Sequence, residues 1–371
     1  MNTEREPPTE AKPSSPKANA KGKIRVAIIV PRLAQLGPVK VMQALVNSLS
    51  ENDELQIKVF YLDKNIDTKV KMIVPCERLN PRKFCFSDYD IVHTNGIRPD
   101  LFAFLNRKNI RYHISTIHNF VFDDLKFTYN RLISWLFGNI WLILWKRADK
   151  LVCVSTAMKS YYAKWFSLSK LEVIYNGIDE PDNSFTPDYD VIQAIKDFRS
   201  KGLNVLGSAG VITRRKGMDQ FLHLASKEGK IALVIIGQGK ELANLKHCAE
   251  KLKITDRCLF CGFKSNAVKY FRFFDFFLVP SRSEGFGLTL IEAVQQRVPV
   301  ICSDLEVFQE LFNEDELTFF KLDDLSSLSK AIMTATETGT KKAELAYKRY
   351  LNIYTASLMA KHYFELYESA S

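Results

Sequence analysis

The chain has 371 residues, 46% of them hydrophobic and 25% charged, a globular composition too long for one ordinary core and sized for two domains. Its formal charge of +10 is spread out, without the clustered basic and aromatic signature of nucleic-acid binders; this excludes nucleic acid and leaves phosphorylated substrates or an acidic membrane surface. Seven scattered cysteines, an odd number, exclude a disulfide framework and fit a reducing compartment.

In chain order, residues 1–22 carry Pro, Glu, Lys, Ser and Ala without an apolar run, so a disordered tail is expected. They lack the apolar region of a secretory signal, which predicts a cytoplasmic protein. Short β-rich runs then alternate with helical patterns: 24–30 (IRVAIIV), 57–62, 90–95, 112–118, 150–155 and 171–175. After the Asn-, Asp- and Pro-rich stretch 176–190, a second series follows at 204–210, 231–237, 257–262, 276–281 and 298–303. Such alternation predicts an α/β protein of two doubly wound, Rossmann-like domains, at 23–180 and 204–352, joined by a linker at 181–203. Ligands of such sheets bind at the carboxyl ends of the strands, so a cleft between two facing sheets is the expected site.

The first series contains RLISWLFGNIWLILWKR, 131–147. From Leu132 to Trp145 it has 14 residues, short of the about 20 that a membrane-crossing helix needs. A helix apolar on nearly every side remains. Leu132, Leu136, Ile140 and Ile143 mark one stripe, and Trp135, Trp141, Leu142 and Trp145 mark others. One face can pack on a core and the other needs a partner, with Trp141 and Trp145 as the residues whose replacement should test it.

Three patterns carry no chemistry on this reading. IIGQGKEL follows a strand but has Leu242 where a dinucleotide fingerprint needs its third glycine. The pairs Asp88/Asp90 and Asp188/Asp190 read as solvated turn acids rather than metal ligands. Cys258 and Cys261 have no second pair at zinc-ligand distance and read as a buried strand. No metal is expected.

The informative segment is PSRSEGFGLTLIEAVQQRVPVICSD, 280–304. A strand, a glycine loop and a helix starting near Leu288 leave the N–H groups of Gly287, Leu288 and Thr289 free at a positive helix end, an anion site. Gly285 and Gly287 permit close backbone approach. Glu284 and Glu292, eight residues apart, lie where one carboxylate faces the cleft floor and the other reaches along a ligand.

EGFGLTLIEA resembles the Glu-x7-Glu signature of the retaining GT-B glycosyltransferases, glycosyltransferase family four (group 1). TRRKGMDQFL (213–222), VIYNGID (173–179), ADKLVCVS (148–155) and STIHN (115–119) are similar to further motifs of that family, in the same order. The resemblance implies that Glu284 contacts the transferred sugar and Glu292 the nucleotide ribose, while Gly287, Leu288 and Thr289 hold the donor's distal phosphate and Gly285 and Phe286 belong to the same donor-binding loop. It implies that Lys216 neutralises the leaving diphosphate and that His118, at a strand end, lies near the reacting sugar, with His93 and Asn95 as further strand-end candidates. Gly37 matches the family's glycine loop near the donor. The family's Gly-Arg is Gly210-Val211 here, so its arginine role passes to Arg214 or Arg215, with Arg215 favoured. Residues 353–371 look like the family's closing helix, which crosses back to the first domain.

The same resemblance implies front-face transfer of a hexose-type sugar from a nucleotide sugar, a UDP-sugar favoured over GDP-mannose. The implied acceptor is a lipid-linked or oligosaccharide glycan of cell-surface polysaccharide, with the first domain on the acceptor side. Residues Leu132 to Arg147 would then touch an anionic membrane at its cytoplasmic face. Transfer to a soluble or protein acceptor, and a non-catalytic nucleotide-sugar-binding protein, are the alternatives.

Overall fold

A computed structural model describes residues 22–34, 37–63, 70–127, 129–179 and 186–371. The tail expected at 1–22 therefore falls outside the described residues save for Gly22, as do residues 181–185 of the expected linker.

Two parallel sheets organise the described chain. The first has seven strands: β1 (Ile24–Val30), β2 (Leu55–Tyr61), β3 (Cys76–Arg78), β4 (Ile91–Asn95), β5 (Tyr112–Ile117), β6 (Lys150–Cys153) and β7 (Leu171–Val173), in spatial order β3-β2-β1-β4-β5-β6-β7. The second has six: β8 (Asn204–Ala209), β9 (Ile231–Ile236), β10 (Cys258–Gly262), β11 (Phe276–Val279), β12 (Val300–Ser303) and β13 (Thr318–Phe320), in order β10-β9-β8-β11-β12-β13. Both sheets reverse strand order beside their first strand, which opens a crevice at the carboxyl ends. The central strands are buried because helices cover both faces; β9 is apolar and buried at all six positions, whereas β4 and β5 also bury His93, Thr94, Asn95, His113, Ser115 and Thr116.

Two edge strands escape the sequence pattern. β3 is exposed at each of its three residues, and β13 is also three residues long, so neither supplies an apolar run to read. β10, read as a buried strand, is a half-buried edge. Within 181–203 the chain forms a helix, Tyr189–Ser200, whose Val191, Ile195 and Phe198 pack on a core.

The domains share packing. One hydrophobic cluster runs from Trp145 and Tyr162 of the first domain through Phe286 to Phe277 and Phe308 of the second. The last helix, Ala356–Ala370, packs Met359, Tyr363 and Tyr367 against Val26, Ile28 and Met42 of the first domain. Where the chain crosses between domains, its two passes pair: Ile178 N–H donates to Tyr354 O and Ala356 N–H to Ile178 O, both at 3.1 Å.

The tryptophan segment is a helix, Arg131–Lys146, whose first turn is capped by Asn130 accepting from Ile133 N–H at 2.9 Å. Ser134, Gly138, Leu142 and Trp145 face inward. The indoles of Trp141 and Trp145 both donate to Asp100 Oδ2 at 3.0 Å, and Trp145 is 1% exposed. These two rings are anchors, which corrects their assignment to a surface stripe. The solvent face is Leu132 (74% exposed), Trp135 (60%), Leu136, Phe137, Ile140 and Ile143. Among the described residues no helix is long and apolar enough to cross a membrane.

Candidate active site

The cleft is built from the loops after β4 and β5 on one side and those after β8 and β11 on the other. After β8 the chain makes a short 3-10 turn, Arg214–Lys216, closed by Gly217 in the left-handed region at φ 65°. A side chain at Gly217 would meet Pro280 O at 2.1 Å, so glycine both permits the turn and lets this loop lie against the one after β11.

The two loops deliver a charge cluster. Glu284 is 6% exposed. Its Oε1 accepts from Lys216 Nζ and, at 2.8 Å, from Ser281 Oγ, while Oε2 accepts from Arg215 Nη1 at 3.4 Å. Burial pushes the Glu284 carboxyl up, but the nearby charges of Lys216 and Arg215 outweigh it and hold the group at about 2. Arg215 also donates to Ser283 O at 2.9 Å. Two cations thus face one ionised carboxylate, beside the free N–H end of the helix Leu288–Gln295. The arrangement can receive a further anion.

The first domain closes over this cluster. A side chain on Gly285 would meet His118 O at 2.1 Å, and Ser155 Oγ donates to Gly285 O at 3.1 Å. Gly37 opens a helix facing the same end, where an added side chain would come within 3.1 Å of Leu288 Cδ1. Lys40 of that helix lies 3.6 Å from Glu292. His118 follows β5, and its Nε2 lies 2.9 Å from the side-chain amide of Asn95. Burial pushes the His118 imidazole down to about 4, and the ring is neutral. Asn95 Nδ2 is a buried donor with no partner among the described residues.

Several expected positions stand elsewhere. Phe286 is 3% exposed and packs against Tyr175 and Tyr354, so its ring cannot line the cleft and only its backbone can serve a ligand. Arg214 is exposed and lines a neighbouring cavity, and among the described residues Glu284 pairs with Arg215 and Lys216 instead. His93 is the middle residue of β4, bonded at 2.7 Å to both Tyr367 Oη and Thr116 Oγ1, which makes it a core histidine instead of a strand-end one. Asp90 is held by Arg25 and Arg111, and Asp188 pairs with Lys264, so these acids are committed to ion pairs.

Two acids were not marked by the sequence. Asp124, on the helix Val121–Leu125, accepts from Ser283 Oγ at 2.5 Å and lies 3.8 Å from Arg215, across the cleft from Glu284's own loop. Glu310 of the second domain accepts from the N–H groups of Thr156 (2.6 Å) and Ala157 (2.8 Å) at the start of a first-domain helix. Nothing periodic distinguishes either from a solvated acid.

Comparison with known proteins identifies the family and the fold. Residues 23–180 match the model of Glycosyltransferase Family 4, and residues 192–350 that of Glycosyl transferases group 1. Over 360 residues the chain is 32% identical to the O-antigen biosynthesis glycosyltransferase WclY of Escherichia coli, covering 93% of this chain and 98% of that protein. It is 33% identical over 180 residues to the lipopolysaccharide core biosynthesis mannosyltransferase LpsB of Rhizobium meliloti (strain 1021), 43% of this chain and 48% of that one. Among solved structures, Anabaena Alr3699/HepE in complex with UDP and glucose superposes with a TM-score of 0.77 at 15% identity, over 93% of this chain and 100% of that one. Sucrose-phosphate synthase from Thermosynechococcus elongatus does so with a TM-score of 0.78 at 16% identity, over 94% and 99%. The last two likenesses concern the GT-B fold alone.

Proposed function

The chain belongs to the group 1 glycosyl transferases, and we propose that it transfers a hexose-type sugar, with retention, from a nucleotide sugar to a lipid-linked glycan in O-antigen or related surface-polysaccharide synthesis. A UDP-sugar is favoured as donor over GDP-mannose. The observation that carries this reading is the cluster of Glu284, Lys216 and Arg215 at the N-terminus of the helix Leu288–Gln295.

In transfer the bond from the sugar's anomeric carbon to the phosphate oxygen breaks, and one to the acceptor oxygen forms on the same face. The acceptor's proton passes to the departing phosphate oxygen. Negative charge grows on that diphosphate, where fixed cations and helix N–H groups act mainly on the transition state. Lys216, Arg215 and the N–H groups of Gly287 to Thr289 fill that role without a metal ion. Glu284, kept ionised, accepts from sugar hydroxyls, and Glu292 from the ribose. The backbone at His118 roofs the loop at Gly285, and the neutral imidazole offers a hydrogen bond to the sugar.

The acceptor side is assigned to the first domain, with the exposed face of the tryptophan helix and its flanking Arg131, Lys146 and Arg147 against the anionic cytoplasmic leaflet. The similarity to WclY, an O-antigen biosynthesis glycosyltransferase, supports a surface-polysaccharide acceptor.

A thermal-shift and hydrolysis screen of UDP-, GDP- and ADP-sugars tests the proposal. Stabilisation by one nucleotide class is expected, with sugar release lost in Glu284→Ala; no stabilisation by any nucleotide overturns it. For the membrane face, Trp135→Glu with Ile143→Glu should abolish binding to anionic vesicles, and unchanged binding by the folded variant would remove that part.

A further inference from the structure

Among the described residues the cations Lys216 and Arg215 stand with a second carboxylate besides Glu284. It is Asp124, supplied by the first domain: its Oδ1 lies 3.8 Å from Arg215 Nη1 and accepts from Ser283 Oγ at 2.5 Å. We propose that Asp124 is a counter-charge built into the site, which weakens the hold of Arg215 on the donor's diphosphate and so lets the nucleotide product leave. This rests on the glycosyl-transfer reading above and adds to it a positioning residue that acts through Arg215.

Asp124 is fixed from its own side of the cleft. Its Oδ2 accepts from Phe120 N–H at 3.1 Å, at the start of the helix Val121–Leu125. That helix is tied down by Tyr162, whose Oη accepts from Val121 N–H at 3.0 Å and donates to Asn119 O at 2.7 Å. The Phe122 ring fills the space over Gly138, which seats the same helix on the tryptophan helix. The carboxylate is therefore imposed on Arg215 by the first domain. Its side chain is 9% exposed and that of Arg215 28%, so water screens the pair weakly. Burial pushes the Asp124 carboxyl above its ordinary 3.8, while Arg215 and the Ser283 hydroxyl favour the charged form. The nearest other charges are committed: Lys126 pairs with Asp123, and Arg282 with Asp219 and Asp323.

An acid here opposes what tight phosphate binding alone would need. Lys216 and Arg215 carry two positive charges, and Glu284 and Asp124 two negative ones, so a diphosphate meets a balanced cluster. Among the described residues Arg215 bonds through Nη1 alone, which leaves Nη2 and Nε for phosphate oxygens. The anion can thus bind with Asp124 still in place, against its repulsion. Fixed cations that stabilise charge growing on the diphosphate also hold the nucleotide diphosphate once the sugar has left, and slow release limits turnover. A carboxylate beside one of the two cations, acting on substrate and product alike, lowers that hold.

Titration calorimetry of the full chain with UDP and with GDP at pH 8 tests the proposal, with the melting temperature of each variant without ligand as the check of folding. Asp124→Asn keeps the shape and a hydrogen-bond acceptor but removes the charge. It should bind the nucleotide preferred by the wild type on the order of 10-fold more tightly, and Asp124→Ala should shift in the same direction. Asp124→Glu restores the charge and should return toward wild-type affinity. Loss of a merely structural acid would loosen binding, so the sign of the change separates the two roles. In an Arg215→Ala background the gain from Asp124→Asn should largely vanish. Equal or weaker binding by the folded Asp124→Asn and Asp124→Ala proteins overturns the proposal, as does a gain undiminished without Arg215. If neither nucleotide binds the wild type or any variant, the glycosyl-transfer reading fails and takes this proposal with it.

Discussion

At the scale of single residues, Glu284 is defined by its two cations. Its folded carboxyl, held at about 2, lies below its ordinary 4.5, so its stabilising contribution is complete above pH 4.5 and is lost as pH falls toward 2. Lys216→Ala should lower the turnover rate roughly 10²- to 10³-fold. If donor turnover is unchanged while the protein stays folded, Lys216 is a structural partner of Glu284 and no more. The sequence marked Glu284 and Lys216 because each belongs to a motif with a backbone signature. It left both Arg214 and Arg215 open and favoured Arg215, the one that meets Glu284: in a 3-10 turn of three residues per turn, neighbours point about 120° apart, and the fold decides which one faces the cleft. Asp124 was illegible for a related reason, since its partners Ser283 and Arg215 lie in the other domain.

At the scale of elements, the tryptophan helix shows what periodicity can and cannot tell. Counting apolar positions gave its length and its two-sided character, but not which tryptophans were anchors, because their partner Asp100 lies 41 and 45 residues away. Asp100 is fully enclosed; burial pushes its carboxyl up against the donors Thr94, Trp141, Ser115 and Trp145, which pull it down. Removing one donor leaves the others strained to satisfy a buried acid. Trp145→Phe should therefore cost about 1–3 kcal/mol in urea unfolding, whereas Trp135→Glu on the open face should stay within about 0.5 kcal/mol. Equal losses in the two variants would contradict this division of the helix. Gly138→Ala should also destabilise, since the added carbon would lie 2.3 Å from the Phe122 ring.

At the scale of the molecule, the two parallel sheets were legible because buried strands repeat an apolar run that edge strands do not need. The joining of the domains was less so, being made by pairings distant in sequence. One consequence is acid sensitivity. Burial pushes His93 and His113 down to about 3 and His118 to about 4, against 6.5 unfolded. The unfolded chain therefore takes up these protons first as pH falls below 6.5, and each histidine removes at most about 1.4 kcal/mol per pH unit until its folded value is reached. The urea midpoint should fall between pH 7 and 5, less steeply in His93→Gln; a flat midpoint would contradict the neutral burial. The second consequence concerns closure. Glu310 bonds two N–H groups of the opposite domain with both oxygens, so its loss is expected to loosen the contact between the domains as well as to lower stability. Hydrogen bonds to a charged group contribute about 1.5–3 kcal/mol each, enough to shift an open–closed balance. Glu310→Ala should enlarge the radius of gyration in small-angle scattering without ligand, recover the compact value with UDP, and raise donor KM more than it lowers turnover. An unchanged radius and KM would leave Glu310 as a helix cap with no part in bringing the domains together.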